Sequence, residues 1–313
     1  MQEINYRRQR DKRMVLRDAV KALVKDNCSI SFGGMGSLAP LAAGHEIARQ
    51  GIGNLTAIGD SPSDIVDLLI GTGQIVKLEI GWLGYGMPGQ AVNFRRAIEE
   101  EIPHKIELEE YTNFTIGLRF LAAAMNVPYL PTRSTLGSDI SKYNKRIKIQ
   151  EDPFTGQTLA LIPAAELDVA VVHVQYADEQ GNCQIFGHSS SSTIMAKAAK
   201  HTIVTCEKIV SNDWIRKAPN LTSIPQYCVD AVVEVPFGCH PHNCAYMYEF
   251  DIPYIAEILK TFKTRDGFVD WVDKNIMQVP DWGTHLEQVG WDRLKALAEV
   301  DKKQLYELPY KGV

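Results

Sequence analysis

Residues 168–177 read DVAVVHVQYA. As a strand, this run is apolar on both faces. A strand of that kind has to be covered on both sides, which is the situation of a parallel strand between two helical layers. Strand-like and helix-like segments alternate through the rest of the chain. The apolar spacing predicts a helix over 15–25 and a strand in SISFGG, then a helix over 40–51 that stops at Gly51. LTAIGD, IVKLEIGWLG, VPYLPT, ALIPA, HTIVTCEKIV and CVDAVVEVP read as strands. SDIVDLLIGTG, with Ser63 as its cap, and residues 90–101, 111–126 and 193–200 read as helices. The fold class expected is α/β, with an open, mostly parallel sheet and helices on both faces.

The 313 residues are expected to form a single domain. The polar stretch 137–159 reads as an excursion within it. Residues from about 252 to 313 read as a helical C-terminal region: IPYIAEILKTF, TRDGFVDWVDKNIM and THLEQVGWDRLKALAEV as amphipathic helices packed on the domain or on a neighbour. The net charge of −5 argues against nucleic acid as the main partner. The basic run Arg7–Arg13 reads as a solvated arm. No apolar run approaches the ~20 residues that span a bilayer, so a cytoplasmic protein without a membrane partner is expected. The six cysteines are scattered, as suits reduced and mostly buried thiols.

Two strand ends are rich in glycine. The first is SISFGGMGSLAP, residues 29–40. Gly34-Met35-Gly36-Ser37-Leu38-Ala39 fits G-x-G-x-x-A, and Asp60 follows the next strand where a ribose-binding acid would lie. Pro40 argues against a dinucleotide, because proline favours the first turn of a helix and so leaves the glycines in a wide loop before it. The second is Gly81-Trp82-Leu83-Gly84-Tyr85-Gly86-Met87-Pro88-Gly89. Two such ends imply a cleft floored by backbone amides, suited to a thioester carbonyl or a developing oxyanion. Gly33, Gly34, Met35, Gly36, Ser37 and Gly84 are therefore candidate substrate-binding residues.

Other candidates are weaker. Cys239-His240-Pro241-His242-Asn243-Cys244 has a cramped spacing and no second ligand pair for a tetrahedral site, so no metal is expected. Ser189–Ser192 lack a G-x-S-x-G elbow and read as a polar loop capping the next helix, with Ser189 a further candidate substrate-binding residue. Glu109 and Glu110 precede a helix, where acids favour the dipole; Glu110 is the candidate base. Arg133 could hold a carboxylate or close an ion pair. The residues alone yield a glycine-walled cleft without a self-sufficient catalytic set.

The stretches SISFGGMGSLAPLAAGHEIARQGIGNLT, VPYLPTRSTLGSD, LDVAVVHVQYADEQGN, AKAAKHTIVTCEKIV and IPQYCVDAVVEVPFGCHPHNCAYMY together resemble the A subunits of two-chain class I CoA-transferases, the glutaconate CoA-transferase type. The resemblance spans most of residues 15–280. It implies a partner, the B subunit of the same enzyme, that carries the nucleophilic glutamate. It also implies transfer of CoA between a glutaconyl- or glutaryl-like or related acyl-CoA and a carboxylic acid. Coenzyme A would be a substrate, with no permanently bound cofactor. Where glutaconate-type chains carry basic residues before the loop proline, this chain has Ser37, Leu38 and Ala39, which points away from a dicarboxylate. The same two-chain architecture also resembles CoA-thioester C–C hydrolases of the steroid ring-opening type and acyl-CoA decarboxylases. Under the hydrolase alternative, Glu110 would be the catalytic acid.

Overall fold

The computed structural model describes residues 11–62, 64–85 and 89–304. Arg7–Arg10, Ser63 and Gly86–Pro88 lie outside the described residues. The strands are β1 (Ser29–Phe32), β2 (Leu55–Gly59), β3 (Ile75–Ile80), β4 (Glu107–Glu110), β5 (Tyr129–Thr132), β6 (Lys148–Glu151), β7 (Thr158–Pro163), β8 (Val169–Asp178), β9 (Cys183–Gln184), β10 (His201–Val210), β11 (Thr222–Ile224) and β12 (Ala231–Glu234). The helices are α1 (Leu16–Leu23), α2 (Leu41–Gln50), α3 (Asp64–Gly71), α4 (Val92–Glu99), α5 (Asn113–Ala124), α6 (Ile140–Tyr143), α7 (Ser192–Ala198), α8 (Asn212–Arg216), α9 (Ile252–Thr261), α10 (Arg265–Val272), α11 (Trp282–Val289) and α12 (Trp291–Gln304).

Seven strands run parallel in the order β12-β10-β8-β1-β2-β3-β4. The short β9 and β11 extend this sheet antiparallel beyond the far end of β8. From β1 the chain steps outward to β4, then returns to place β8 on the other side of β1. The strand order therefore reverses between β1 and β8. In an open parallel sheet, the crevice at such a reversal is where ligands bind.

Alternation along the central strands explains the doubly apolar sequence. Val169 and Val171 join Ile30, Phe32 and Leu78 in a core against α2 and α3. Ala170, Val172 and Val174 join Ile116, Phe120 and Met195 in a second core, against α5 and α7. Each fully buried Val or Ile contributes about 1.5–3 kcal/mol, so neither face of β8 can be left to water.

Three features differ from the sequence expectation. Residues 107–110, ELEE, form the edge strand β4 rather than a helix approach, and Thr112 caps α5 through a reciprocal pair with Thr115. The excursion at 137–159 contributes α6 and part of a small antiparallel sheet, β5-β7-β6. The last predicted helix is two helices, broken at Gly290, whose φ of 100° no right-handed helix accommodates. The end of the basic run is also less solvated than expected. Arg13 pairs with Asp11 in solvent, but Lys12 is buried and donates to the Gln226 carbonyl. None of the six cysteines is in a disulfide, and five are buried.

Candidate active site

α2 begins at Leu41 with Pro40 as its N-cap. The glycines therefore form a loop before the helix, as the proline predicted. Gly34 and Gly36 take φ of 82° and 72°, and Leu38 follows at 58°. A Cβ on Gly34 would fall 2.3 Å from the Ser37 carbonyl oxygen, so only glycine fits there. A Cβ on Gly33 would meet Ser192 Oγ at 2.7 Å. The Gly34 N–H donates to that hydroxyl at 3.2 Å. Among the described residues, the N–H groups of Met35, Gly36 and Ser37 donate to no protein acceptor. Met35 is exposed at the tip of the loop.

The serine loop meets the glycine loop through Ser192 and is tied to the end of β2 through Asp60. The Asp60 carboxylate accepts from Ser191 Oγ at 2.8 Å, Ser190 Oγ at 3.3 Å and the Ser61 N–H at 2.8 Å. Its carbonyl accepts from the Trp82 N–H at 3.0 Å. Asp60 is thus a tie between three strand ends and not a free ribose acid. The serines were expected to cap α7. Ser191 occupies the N-cap position, but its hydroxyl goes to Asp60. Ser189 contributes a carbonyl that accepts from the Ser192 N–H, and its side chain is half-buried beside the tie.

A third wall comes from residues 236–250. Leu38 N–H donates to the Asn243 carbonyl at 3.0 Å, and Ser37 and Asn243 form a parallel bridge. The His242 ring spans Gly36 O (3.1 Å from Nδ1) and Asp64 Oδ1 (2.7 Å from Nε2). Both nitrogens face acceptors, so the ring carries two protons. Burial opposes that charge, but the Asp64 carboxylate overrides it and holds the imidazole above its ordinary range. His240 binds Asp251 at 3.0 Å, and Arg293 of α12 donates to the same carboxylate at 2.7 Å. The C-terminal helices thereby brace this wall from behind.

Gly33, Gly34, Gly36 and Ser37 lie in the loop after β1, at the β1/β8 reversal, and Ser189 lies beside it through Ser192, whose N–H donates to the Ser189 carbonyl and whose hydroxyl accepts from Gly34. Gly84 sits apart, in the turn after β3, under the exposed Trp82 ring. Arg133 follows β5 of the small sheet and donates to Gln157 at 3.3 Å. Glu110 is exposed at the end of β4. It pairs with Ile80, and Ile80 with Gly59, so three strand spacings separate it from β1. That is about 14 Å of sheet. Its neighbour Glu109 points to the other face. There Lys77 at 2.9 Å and the Tyr111 hydroxyl hold it, and these partners keep its carboxyl below the usual range despite burial. The Asp60 tie and the His242 clamp were not predicted. Asp60 and the serines stood out singly in the sequence, but nothing there joined them.

Residues 13–235 match the coenzyme A transferase family model. The chain belongs to the coenzyme A transferase family. Family membership makes it an enzyme chain of the CoA-transferase type. It is 35% identical over 269 residues to the A subunit of 3-oxoadipate CoA-transferase from Pseudomonas knackmussii, covering 86% of this chain and 95% of that one. It is 33% identical over 299 residues to the A subunit of glutaconate CoA-transferase from Acidaminococcus fermentans, covering 90% and 92%. The crystal structure of the Acidaminococcus fermentans enzyme superposes with a TM-score of 0.88 at 32% identity, over 91% of this chain and 95% of that one. An uncharacterised Archaeoglobus fulgidus protein is 38% identical over 96% of this chain, which spans 66% of that protein's length. Similarity to a cholesterol ring-cleaving hydrolase subunit of Rhodococcus jostii is weaker, 29% over 84% of this chain. No helix among the described residues is long and apolar enough to cross a membrane.

Proposed function

We propose that this chain is the A subunit of a heteromeric CoA-transferase that moves CoA between an acyl-CoA and a carboxylic acid, with the nucleophilic glutamate supplied by the B subunit. One observation carries the reading: among the described residues the N–H groups of Met35, Gly36 and Ser37 donate to no protein acceptor, while the nearby Asp60 carboxylate is engaged by Ser61, Ser190 and Ser191. Such a surface binds and polarises an acyl group but does not attack it.

The partner's glutamate attacks the thioester carbon, the C–S bond breaks, and CoA leaves as a thiolate. The acyl group remains on the carboxylate as an anhydride. The thiolate then attacks the glutamyl carbonyl and releases the first acid, leaving a glutamyl-CoA thioester. The acceptor carboxylate takes the CoA by the reverse sequence. In the first step charge develops on the thioester oxygen, and the amides of Met35, Gly36 and Ser37 are the donors offered to it. Ser37, Leu38 and Ala39 bring no cation, so the acyl group is expected to lack a second carboxylate held at this loop.

The hydrolase alternative requires Glu110 to reach the acyl group from about 14 Å across the sheet. The test uses the chain co-purified with its B subunit. Glutaryl-CoA and bulkier acyl-CoAs are incubated with and without acetate, and products are followed by mass spectrometry. Acetyl-CoA formed only with acetate is the expected result. An acyl-CoA that gains water or loses carbon dioxide regardless of acetate overturns transfer in favour of the hydrolase or decarboxylase; loss of that activity in Glu110→Gln would then locate it.

A further inference from the structure

The edge strand of a sheet offers backbone N–H and C=O groups to any further strand, and proteins blunt such edges. Three edges of this fold are blunted. At β12, Val232 donates its N–H to the Lys12 carbonyl and its carbonyl accepts from the Met14 N–H, so the chain covers itself. β4 reads ELEE, and a second copy laid on it would set glutamate against glutamate. β5, one edge of the small sheet, carries Pro131, which has no N–H to offer. The other edge of the small sheet is different. β6 reads KIQE, and all four of its residues are exposed.

The hairpin to β7 fixes which backbone groups of β6 are directed outward. The Asp152 N–H donates to the Gln157 carbonyl, and bonded pairs alternate along an antiparallel ladder. Lys148, Gln150 and Asp152 therefore bond to β7, and the N–H and C=O of Ile149 and Glu151 point away from it. A second copy of the same strand fits this edge. Antiparallel pairing about a two-fold axis at Gln150 sets Ile149 opposite Glu151 of the other copy, so outward groups meet outward groups and four backbone hydrogen bonds form. The same register sets Lys148 opposite Asp152 of the other copy, twice, and Gln150 opposite itself. Opposite charges facing across paired strands are favourable. The surrounding sequence has the same order: Lys145 and Lys148 precede the axis, and Glu151 and Asp152 follow it. A segment that is basic first and acidic second complements its own reverse. Large apolar side chains stand exposed along it, Ile149 at 49%, Tyr143 at 77% and Phe154 at 93%.

We propose that β6 is an interface between two copies of this chain, paired antiparallel across a two-fold axis at Gln150. The two small three-stranded sheets would join into one continuous sheet. β6 belongs to a different sheet from the glycine loop, so this assembly stands or falls independently of CoA transfer.

The experiment uses the full chain co-purified with its B subunit. Light scattering coupled to gel filtration, with the subunit ratio read from a denaturing gel, counts the copies of this chain per particle. An even number is expected. Lys148→Glu places two like-charged pairs at the interface and is expected to halve that number. Gln150→Cys tests the register. Facing residues of a non-bonded pair lie about 4.5 Å apart at Cα, within disulfide reach. Mild oxidation is therefore expected to link Gln150→Cys into a covalent dimer on a non-reducing gel. Lys148→Cys, which would face Asp152, should cross-link at least tenfold less, and the wild type not at all. A particle holding a single copy of this chain, an unchanged particle mass in Lys148→Glu, or a Gln150→Cys variant that does not cross-link overturns the interface. A cross-linked Gln150→Cys dimer whose wild-type parent transfers no CoA would overturn the proposed activity and leave the interface standing.

Discussion

The glycine-rich ends of β1 and β3 look alike in sequence and differ in what their glycines are for. After β1, Gly34 and Gly36 adopt positive φ, and among the described residues the N–H groups of Met35, Gly36 and Ser37 meet no protein acceptor. After β3, Gly81 and Gly84 do not take positive φ; they are small because something packs on them. Gly81 lies under Asn113 and the Asp60 carbonyl, and Gly84 under the Trp82 ring. Backbone conformation requires glycine in the first case, and close packing requires it in the second. The place of each strand in the sheet makes the difference, since β1 borders the reversal and β3 does not.

Substitutions can break this contrast. Gly34→Ala should have the largest effect. It combines a left-handed φ with a backbone clash and should cost about 3 kcal/mol locally, with transfer activity falling at least ~100-fold. Activity assays beside circular dichroism would separate loop damage from global unfolding, and near wild-type activity would remove the loop from the site. Gly81→Ala should come next. Its Cβ meets Asn113 N at 2.7 Å, costing about 2–3 kcal/mol, read as a lowered melting temperature. A larger loss of activity than of stability there would mean that the β3 end touches substrate.

Asp60→Asn tests the tie between the end of β2 and the serine loop that lies beside the β1 glycines. It should cost only about 1 kcal/mol of stability but about tenfold in activity, as Ser190 and Ser191 lose their acceptor. Equal falls in both would make Asp60 merely structural.

The His242 clamp gives a pH signature. Its folded-state value is raised, so its stabilisation is complete below the ordinary imidazole range, about 6.5, and is lost as pH rises through the raised value. Melting temperatures of wild type and His242→Gln should converge between neutral and alkaline pH; parallel curves would rule out a charged clamp. Gly84→Ala should do least, within about 1 kcal/mol, because the exposed Trp82 ring can swing aside.

The sequence disclosed features that depend on near neighbours. Doubly apolar strands required cover on both faces, and β8 has it. Pro40 set the start of α2, and the glycine run marked the loop. The misread elements are those whose explanation lies elsewhere in the chain. β4 is four residues, three of them acidic, and no local pattern marks them as a strand. Glu109 is tolerable there because Lys77 of β3 lies beside it and Arg146 approaches from the excursion before β6. THLEQVGWDRLKALAEV reads as one amphipathic helix unless Gly290 is known to take a positive φ.

By itself, then, the sequence determined the layers, the sheet type, the glycine loop and the family resemblance, because periodicity, proline and glycine act over one or two turns. Only the tertiary structure decided which strand ends meet. Asp60 finds Ser190 and Ser191, 130 and 131 residues away, and His173 finds Glu207, because β8 returns to lie between β1 and β10. Hydrogen bonds and ligand contacts act over a few ångströms in space, and register across the sheet brings those atoms together.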